Sequence, residues 1–389
     1  MSSEFGPSGS AEAEFGPLMP DISLRGRVIE ELGLPNEVIP NRAQLSTLTE
    51  LDLREVQWIS SLEGLQHATN LKTLSLELKA FDLHGALPTE FGVLGELHNL
   101  RRLSISGLGT DFPDSLAAQI VRLPNLRRLT ISRARHLDLN LLVGLKRIKV
   151  LSLAGSRVKD LLPLAAFRGL RSLDLEESVV ADFSPLVHLS SLINLNLTET
   201  SFSDLSLLSK MPELRVLNVA RTDVVNLEPL VSMKKLRSLE VSNNRIIDFG
   251  PLSKISSLWE LDVTSTLFSD LRCLRLMANL QVLTAIDAYI SDLGPLRQHP
   301  ALTMLAIESR HLRDLSPLRD LKLFFLHFGA ITLMNIEGGW APIYVSGTGK
   351  FLPGALPWMP DNPLRTHRWR IDNLSLPDGA CGRTIRCRK

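Results

Sequence analysis

The sequence predicts an α/β solenoid: a stack of short coils, each with one parallel β-strand on an inner, concave face and a brief 3-10 or turn segment on the outer, convex face. Three observations predict it. The motif L-x-x-L-x-L recurs along the chain, and eight consecutive steps of it, from Leu126 to Leu302, are each 22 residues long. The apolar content also rests on leucine, since aromatics are only 5% of a chain that is 44% hydrophobic. A fixed period of this kind marks a repeat architecture, in which each unit buries its apolar side against its neighbours.

Residues 1–19, MSSEFGPSGSAEAEFGPLM, hold the tetrapeptide EFGP twice and contain no apolar signal region. They read as a disordered linker or fusion scar. As written the chain is expected to be cytoplasmic, and secreted or surface-borne if a native signal was replaced. Residues 20–47 read as a helical N-terminal cap, with Ile22, Leu24, Val28, Ile29 and Leu32 as the apolar stripe and Gly33 as the residue that ends the helix. A cap is expected because the first coil would otherwise expose its core edge.

The array spans residues 48–337 in about 13 repeats, with motif starts that include Leu48, Leu71, Leu100, Leu126 and then every 22 residues to Leu302, followed by Leu323. In a strand the three leucine-type positions point one way and their neighbours the other. Two further apolar columns close the core from the convex side, one running Val158, Val180, Phe202, Val224, the other Leu161, Phe183, Leu205, Leu227. A polar column precedes the second: Asp138, Asp160, Asp182, Asp204, Asn226, Asp248, Asp270, Asp292, Asp314. A calcium ladder would need Gly-rich turns and a second ligand column. Caps on short helical turns need only this column, often with proline three residues on, as at Pro163 and Pro185. No metal and no cofactor are therefore expected. Small hydrogen-bonding residues (Ser156, Ser178, Thr200, Thr222, Asn244, Thr266) recur three places after the strand's last leucine, where they can satisfy backbone groups at the turn.

The unit L-x-x-L-x-L-x-x-T-x-V-x-D-L-x-P-L, well shown by residues 170–186 (LRSLDLEESVVADFSPL), resembles the 22-residue repeat of bacterial internalin-like proteins. The helical start of the array is similar too, and the resemblance covers about residues 19–328. It implies a leucine-rich repeat horseshoe that binds proteins through its concave face, with relatives that are mostly secreted or surface-attached. The chain departs from that pattern in showing no signal, sorting motif or wall-binding module. Its long second repeat, FDLHGALPTEFGVLGELHNL, resembles instead the plant-type repeat and predicts a convex bulge.

Nothing in the sequence supplies catalytic chemistry. There is no G-x-S-x-G, phosphate loop or H-E-x-x-H, and the nine histidines lack ligand spacing. The segment CGRTIRC is superficially similar to a phosphate-binding thiol loop but lacks its Cys-x5-Arg spacing. Cys381 and Cys387 are free thiols or a single bridge, and Cys273 stands alone in the array. The longest apolar run, residues 323–336, is too short and broken to span a bilayer.

Net charge is +1, so no global field draws the chain to nucleic acid or membrane. Residues 350–389 hold eight Lys/Arg against three Asp/Glu, which leaves 35 basic and 39 acidic residues in the rest. The tail, residues 338–389, also carries Trp340, Trp358 and Trp369. Its first part is expected to cap the last repeat. The remainder reads as disordered, or as a basic segment for RNA or an anionic surface, with nucleic acid the less favoured partner. The stronger functional signal is the concave face. Arg102, Arg128 and Arg133 lie near one end of it, and Asp174, Glu176, Glu177, Glu240, Glu260 and Asp262 follow from the middle onward. The expectation is a non-enzymatic scaffold that steers a protein partner of basic character onto the acidic stretch. An ordinary solvated surface is the alternative.

Overall fold

The computed structural model describes residues 18–36, 38–56, 59–78, 91–107, 109, 111–314, 316–328, 331–336 and 339–342. The EFGP segment, most of the plant-like second repeat (79–90), the column residue Leu315, and the tail with Cys381, Cys387, Trp358 and Trp369 lie outside the described residues. The chain forms two compact units, Met1–Asp248 and Phe249–Lys389.

The first unit opens with two helices, Ile22–Glu31 and Arg42–Thr47. Asp21 starts the first by accepting the Leu24 N–H at 2.8 Å, and its other oxygen takes the N–H and hydroxyl of Ser60. Burial pushes the Asp21 carboxyl up, but the bonds from Leu24, Ser60 and Ser61 outweigh it and hold the pKa below its usual value. Gly33, at φ +63, ends the helix: its N–H reaches Glu30 and that of Leu34 reaches Ile29, both at 3.0 Å. This double bond is the Schellman arrangement, which glycine adopts without a Cβ clash. Leu24, Val28 and Ile29 are buried as the stripe requires, but Ile22 is 75% exposed. Two residues on a helix are about 200° apart, so Ile22 faces away from Leu24.

Nine parallel strands follow in register: Glu50–Leu53, Thr73–Glu77, Arg102–Ser106, Arg128–Ile131, Val150–Ser152, Ser172–Asp174, Asn194–Asn196, Val216–Asn218 and Ser238–Glu240. Each contributes three leucine-type side chains to the core, as Leu192, Leu195 and Leu197 do at 0% exposure. A buried leucine contributes roughly 1.5–3 kcal/mol, so identical columns make the stack the dominant stabilising term. On the convex side the returns are mostly 3-10 turns, with one α-helix, Asp114–Ile120, and a two-stranded sheet of Arg157–Val158 and Val179–Val180. Phe183 and Phe202 meet edge to face with centroids 5.3 Å apart.

In the second unit Glu260–Asp262, Val282–Ala285, Met304–Ile307 and Phe325–Phe328 pair in parallel. Ile331–Ile336 and Gly339–Pro342 then add antiparallel to the end of that sheet. Phe249 and Phe268 repeat the edge-to-face contact at 4.9 Å.

The polar column leads into the convex turns: Asp138, Asp204 and Asp270 are their N-caps, whereas Asp160, Asp182, Asn226 and Asp292 stand one residue ahead of the N-cap. Side-chain oxygens of Asp138, Asp160, Asp182, Asp204, Asn226, Asp270, Asp292 and Asp314 each accept the N–H two residues on, at 2.7–2.9 Å. The buried hydroxyls of Ser178, Thr200, Thr222 and Thr266 donate to carbonyls just past the strand ends (Leu153, Leu197, Val219 and Val263) at 2.6–2.9 Å. Both columns thus do what their spacing implies. Among the described residues no group of three His, Cys, Asp or Glu is placed to hold a metal ion.

Candidate partner-binding face

The concave face is built from the strand positions flanking the central leucine and from the turn just beyond each strand. At the basic end Arg102 and Arg128 are register partners on adjacent strands, and both are exposed. Arg133 is exposed on the following turn with φ 61. Arg102 and Arg128 are therefore brought together at the strand starts, while Arg133 stands apart beyond the strand's other end.

The acidic residues fall into separate groups. Asp174 is half-buried and accepts the Ser152 hydroxyl at 2.9 Å, the Asn196 amide at 3.0 Å and the Glu176 N–H at 3.1 Å. The Asn196 amide also reaches Glu176 at 3.3 Å. Glu177 is exposed, in the left-handed conformation at φ 55. Glu240 accepts the Asn218 amide at 2.6 Å. Two strands, carrying Asn196 and Asn218, separate Asp174 from Glu240, so these lie about 14 Å apart at 4.8 Å per strand, beyond one Debye length of about 8 Å.

In the second unit Glu260 is half-buried, and Asp262 is only 9% exposed. The expectation of an open acidic surface is corrected here. Burial pushes the Asp262 carboxyl up to about 6, with Thr264's hydrogen bonds pulling it down and the Glu260 charge raising it. Asp262 accepts the Thr264 N–H at 2.8 Å and is part of the turn rather than of a free surface.

The carboxylates and amides share one structural job that the sequence reading missed. Asp52, Asp174, Asn196, Asn218 and Asp262 occupy the same strand position, and each accepts the N–H two residues on at 2.8–3.1 Å. This Asx turn steers the chain out of the strand. Its sequence signal is Asp or Asn at one repeat position, at 22-residue spacing from Asp174 to Asn218. Just beyond it runs a left-handed column: Arg133, Gly155, Glu177, Glu199, Arg221, Asn243, Ser265 and Asp287 all have φ between 53 and 67.

The fold has counterparts among solved structures. The chain is similar to an internalin, InlF, of Listeria monocytogenes, with a TM-score of 0.62 at 24% identity over 80% of this chain and 96% of that one. The fold is that of a leucine-rich repeat protein. A second leucine-rich repeat structure, the InlJ functional domain of Listeria monocytogenes with its cysteine ladder, gives 0.52 at 18% identity, covering 80% of this chain and 69% of that one. A TDR receptor gives 0.53 at 17%, covering 74% and 56%. At these identities the likeness speaks to the fold. No family model and no curated protein matches the chain. Cys273 is the single cysteine of this array. Its thiol is pushed up to about 12, first by burial and then by the Asp270 charge, which leaves it a poor nucleophile.

Proposed function

We propose that this leucine-rich repeat chain is a non-enzymatic scaffold that binds a partner protein of basic character through its concave face. The observation that carries the reading is the grouping of Asp174, Glu176 and Glu177 on one strand end, with Glu177 exposed. Three carboxylates within one Debye length of about 8 Å act as one field on an approaching partner. The arginines at 102, 128 and 133 form the opposite pole, suited to an acidic patch on the same partner. Glu260 and Asp262 belong to the second unit, where Asp262 is buried, and carry no part of this reading. Structural counterparts in this fold include an internalin and a receptor.

The test compares two baits, the wild-type chain and Glu176→Gln/Glu177→Gln, by quantitative capture. Asp174 is kept because it holds the Asn196 ladder. A specific partner should bind the double variant with an association rate lowered about threefold or more, and salt should mimic the change. An unchanged rate, with loss of binding on Arg102→Ser/Arg128→Ser/Arg133→Ser, would move the recognition surface to the basic end.

A further inference from the structure

Immediately before each strand of the first unit, at its entry edge, sits a column that the concave face does not include. Lys72, Arg101, Arg127, Lys149 and Arg171 occupy it in succession, and beyond Ile193 it continues with Arg215 and Arg237. The backbone joins them directly: each N–H in the column donates to the carbonyl of the residue one repeat earlier, at 2.8–2.9 Å from Arg101 to Arg237. With Thr49 ahead of the first strand and Ile193 ahead of the seventh, seven of the nine rungs are basic, and all seven basic side chains are exposed. Among the described residues none of the seven makes an ion pair. At about 4.8 Å per rung the ridge runs for roughly 34 Å. Like charges on successive rungs repel, and an anion laid along them would relieve that repulsion.

We propose that this ridge binds a linear acidic polysaccharide, sulfated or carboxylated, laid across the strand entries. Five of the seven residues are arginine, whose planar guanidinium forks match the paired oxygens of sulfate and carboxylate. The neighbouring strand position offers Thr73 and Asn194, both half-buried, as partners for sugar hydroxyls. Other polyanions fit less well. Single-stranded nucleic acid is held by aromatic stacking platforms. Every aromatic described in the first unit is buried instead: Phe91, Phe112, Phe167, Phe183 and Phe202. A duplex is wide enough to reach the carboxylates of Asp174 and Glu176 at the other end of the strands. An acidic peptide gains no strand-like pairing, because the ridge's own N–H and C=O groups are spent on the ladder. The inference is separable from the protein-binding reading, since none of the seven basic residues belongs to the acidic group or to the Arg102, Arg128 and Arg133 set.

The experiment measures binding of the full chain to dextran sulfate, alginate, poly-glutamate, oligo-dT and a DNA duplex by titration calorimetry at several salt concentrations. Dextran sulfate and alginate should bind, each about tenfold or more tighter than the other three, and weaken as salt rises. Arg127→Ser/Lys149→Ser/Arg171→Ser should lose about tenfold, and Arg215→Ser/Arg237→Ser should lose a smaller factor at the far end of the same track. The second variant carries the test if the first does not fold. Arg42→Ser/Arg157→Ser/Arg245→Ser, which removes equal charge from exposed positions off the ridge, should change affinity less than about threefold. The Glu176→Gln/Glu177→Gln variant should bind both polysaccharides as wild type does, so failure here and failure of the protein-binding reading are separable. Equal losses from the ridge and control variants, no polysaccharide binding, or tighter binding of poly-glutamate or either nucleic acid would overturn the proposal.

Discussion

Asn196 donates its side-chain amide to Asp174 at 3.0 Å across one repeat, while its own Oδ1 accepts the N–H of Thr198 at 3.1 Å. One amide therefore does two jobs: it ends its own strand and neutralises the lone pairs of the carboxylate beside it. Asn196 is 2% exposed, so neither bond competes with water. Replacing it by aspartate keeps the acceptor for Thr198 and removes only the donor. Two carboxylates then face each other at hydrogen-bond distance. Asn196→Asp should destabilise by roughly 1–3 kcal/mol at pH 7.5. The loss should shrink toward pH 4, because the pair holds a proton that the unfolded chain releases. Urea melts at the two pH values check this, and a pH-independent loss would mean the amide acts by shape alone.

Asp182 tests the convex column. It accepts the Ser184 N–H at 2.8 Å and the Ser184 hydroxyl at 2.7 Å, and these bonds hold its carboxyl below the usual range. Asp182→Ala should lower the melting temperature, because the Ser184 N–H at the start of the turn loses its acceptor. The contribution of a lowered carboxylate is present above the unfolded pKa and lost as pH falls through the folded one, so wild type and variant should converge in acid. Calcium should leave both melting temperatures where they were. A calcium-dependent rise in wild type alone would instead make the column a metal ladder.

The fold was legible because its cause is written directly in the sequence: one leucine column buried per strand position, with no other way to cover it. Capping aspartates and buried Ser/Thr residues were legible for the same reason, since each answers a backbone need that recurs every 22 residues. The candidate site was only half legible. Alternation tells which way Asp174 or Asp262 points, but not whether neighbours have already claimed its oxygens or buried it. The basic ridge was missed for a related reason. Strict alternation places Arg127 or Arg171 on the core side of the strand, whereas the chain enters from a turn there and leaves both exposed.

Asp262 takes the repeat position in the second unit that Asn196 and Asn218 take in the first, and its burial raises its pKa to about 6. Below the unfolded value near 3.8 both states carry the proton, and no penalty arises. Between 3.8 and about 6 the folded state binds more protons, so stability falls as pH rises. Above that range the full cost is present. Asp262→Asn keeps an acceptor for Thr264 and removes the charge, so it should raise stability at pH 7.5 by about 1–3 kcal/mol and change little at pH 3.5. His299, buried in the same unit, has its pKa lowered by burial, with the backbone of Leu274 and Met277 pulling the other way. Its effect has the opposite sign: stability is complete above the unfolded pKa near 6.5 and is lost as pH falls below it. The Asp262→Asn profile should therefore show the histidine slope unmasked. A gain that persists undiminished at pH 3.5 would show that packing, not ionisation, sets the cost of Asp262.

Glu177 occupies the left-handed column at φ 55, where Gly155 stands one repeat earlier at φ 67. A side chain there costs roughly 1–2 kcal/mol, whereas glycine avoids that clash but gives up about 0.5–1 kcal/mol of chain entropy. Glu177→Gly should therefore stabilise by roughly 0.5–1 kcal/mol. Asn243→Gly, at φ 56, should gain less, because asparagine tolerates this conformation through its short polar side chain. Thermal melts of the two variants give the ranking, and equal gains would mean the strain is not a side-chain effect. The same Glu177→Gly variant removes the one fully exposed carboxylate of the acidic group, so the protein-binding reading expects it to slow association even as the fold becomes more stable. Opposite movements of stability and association rate would show a strained position held by glutamate for what it binds. If both rise together, Glu177 carries no part of the recognition.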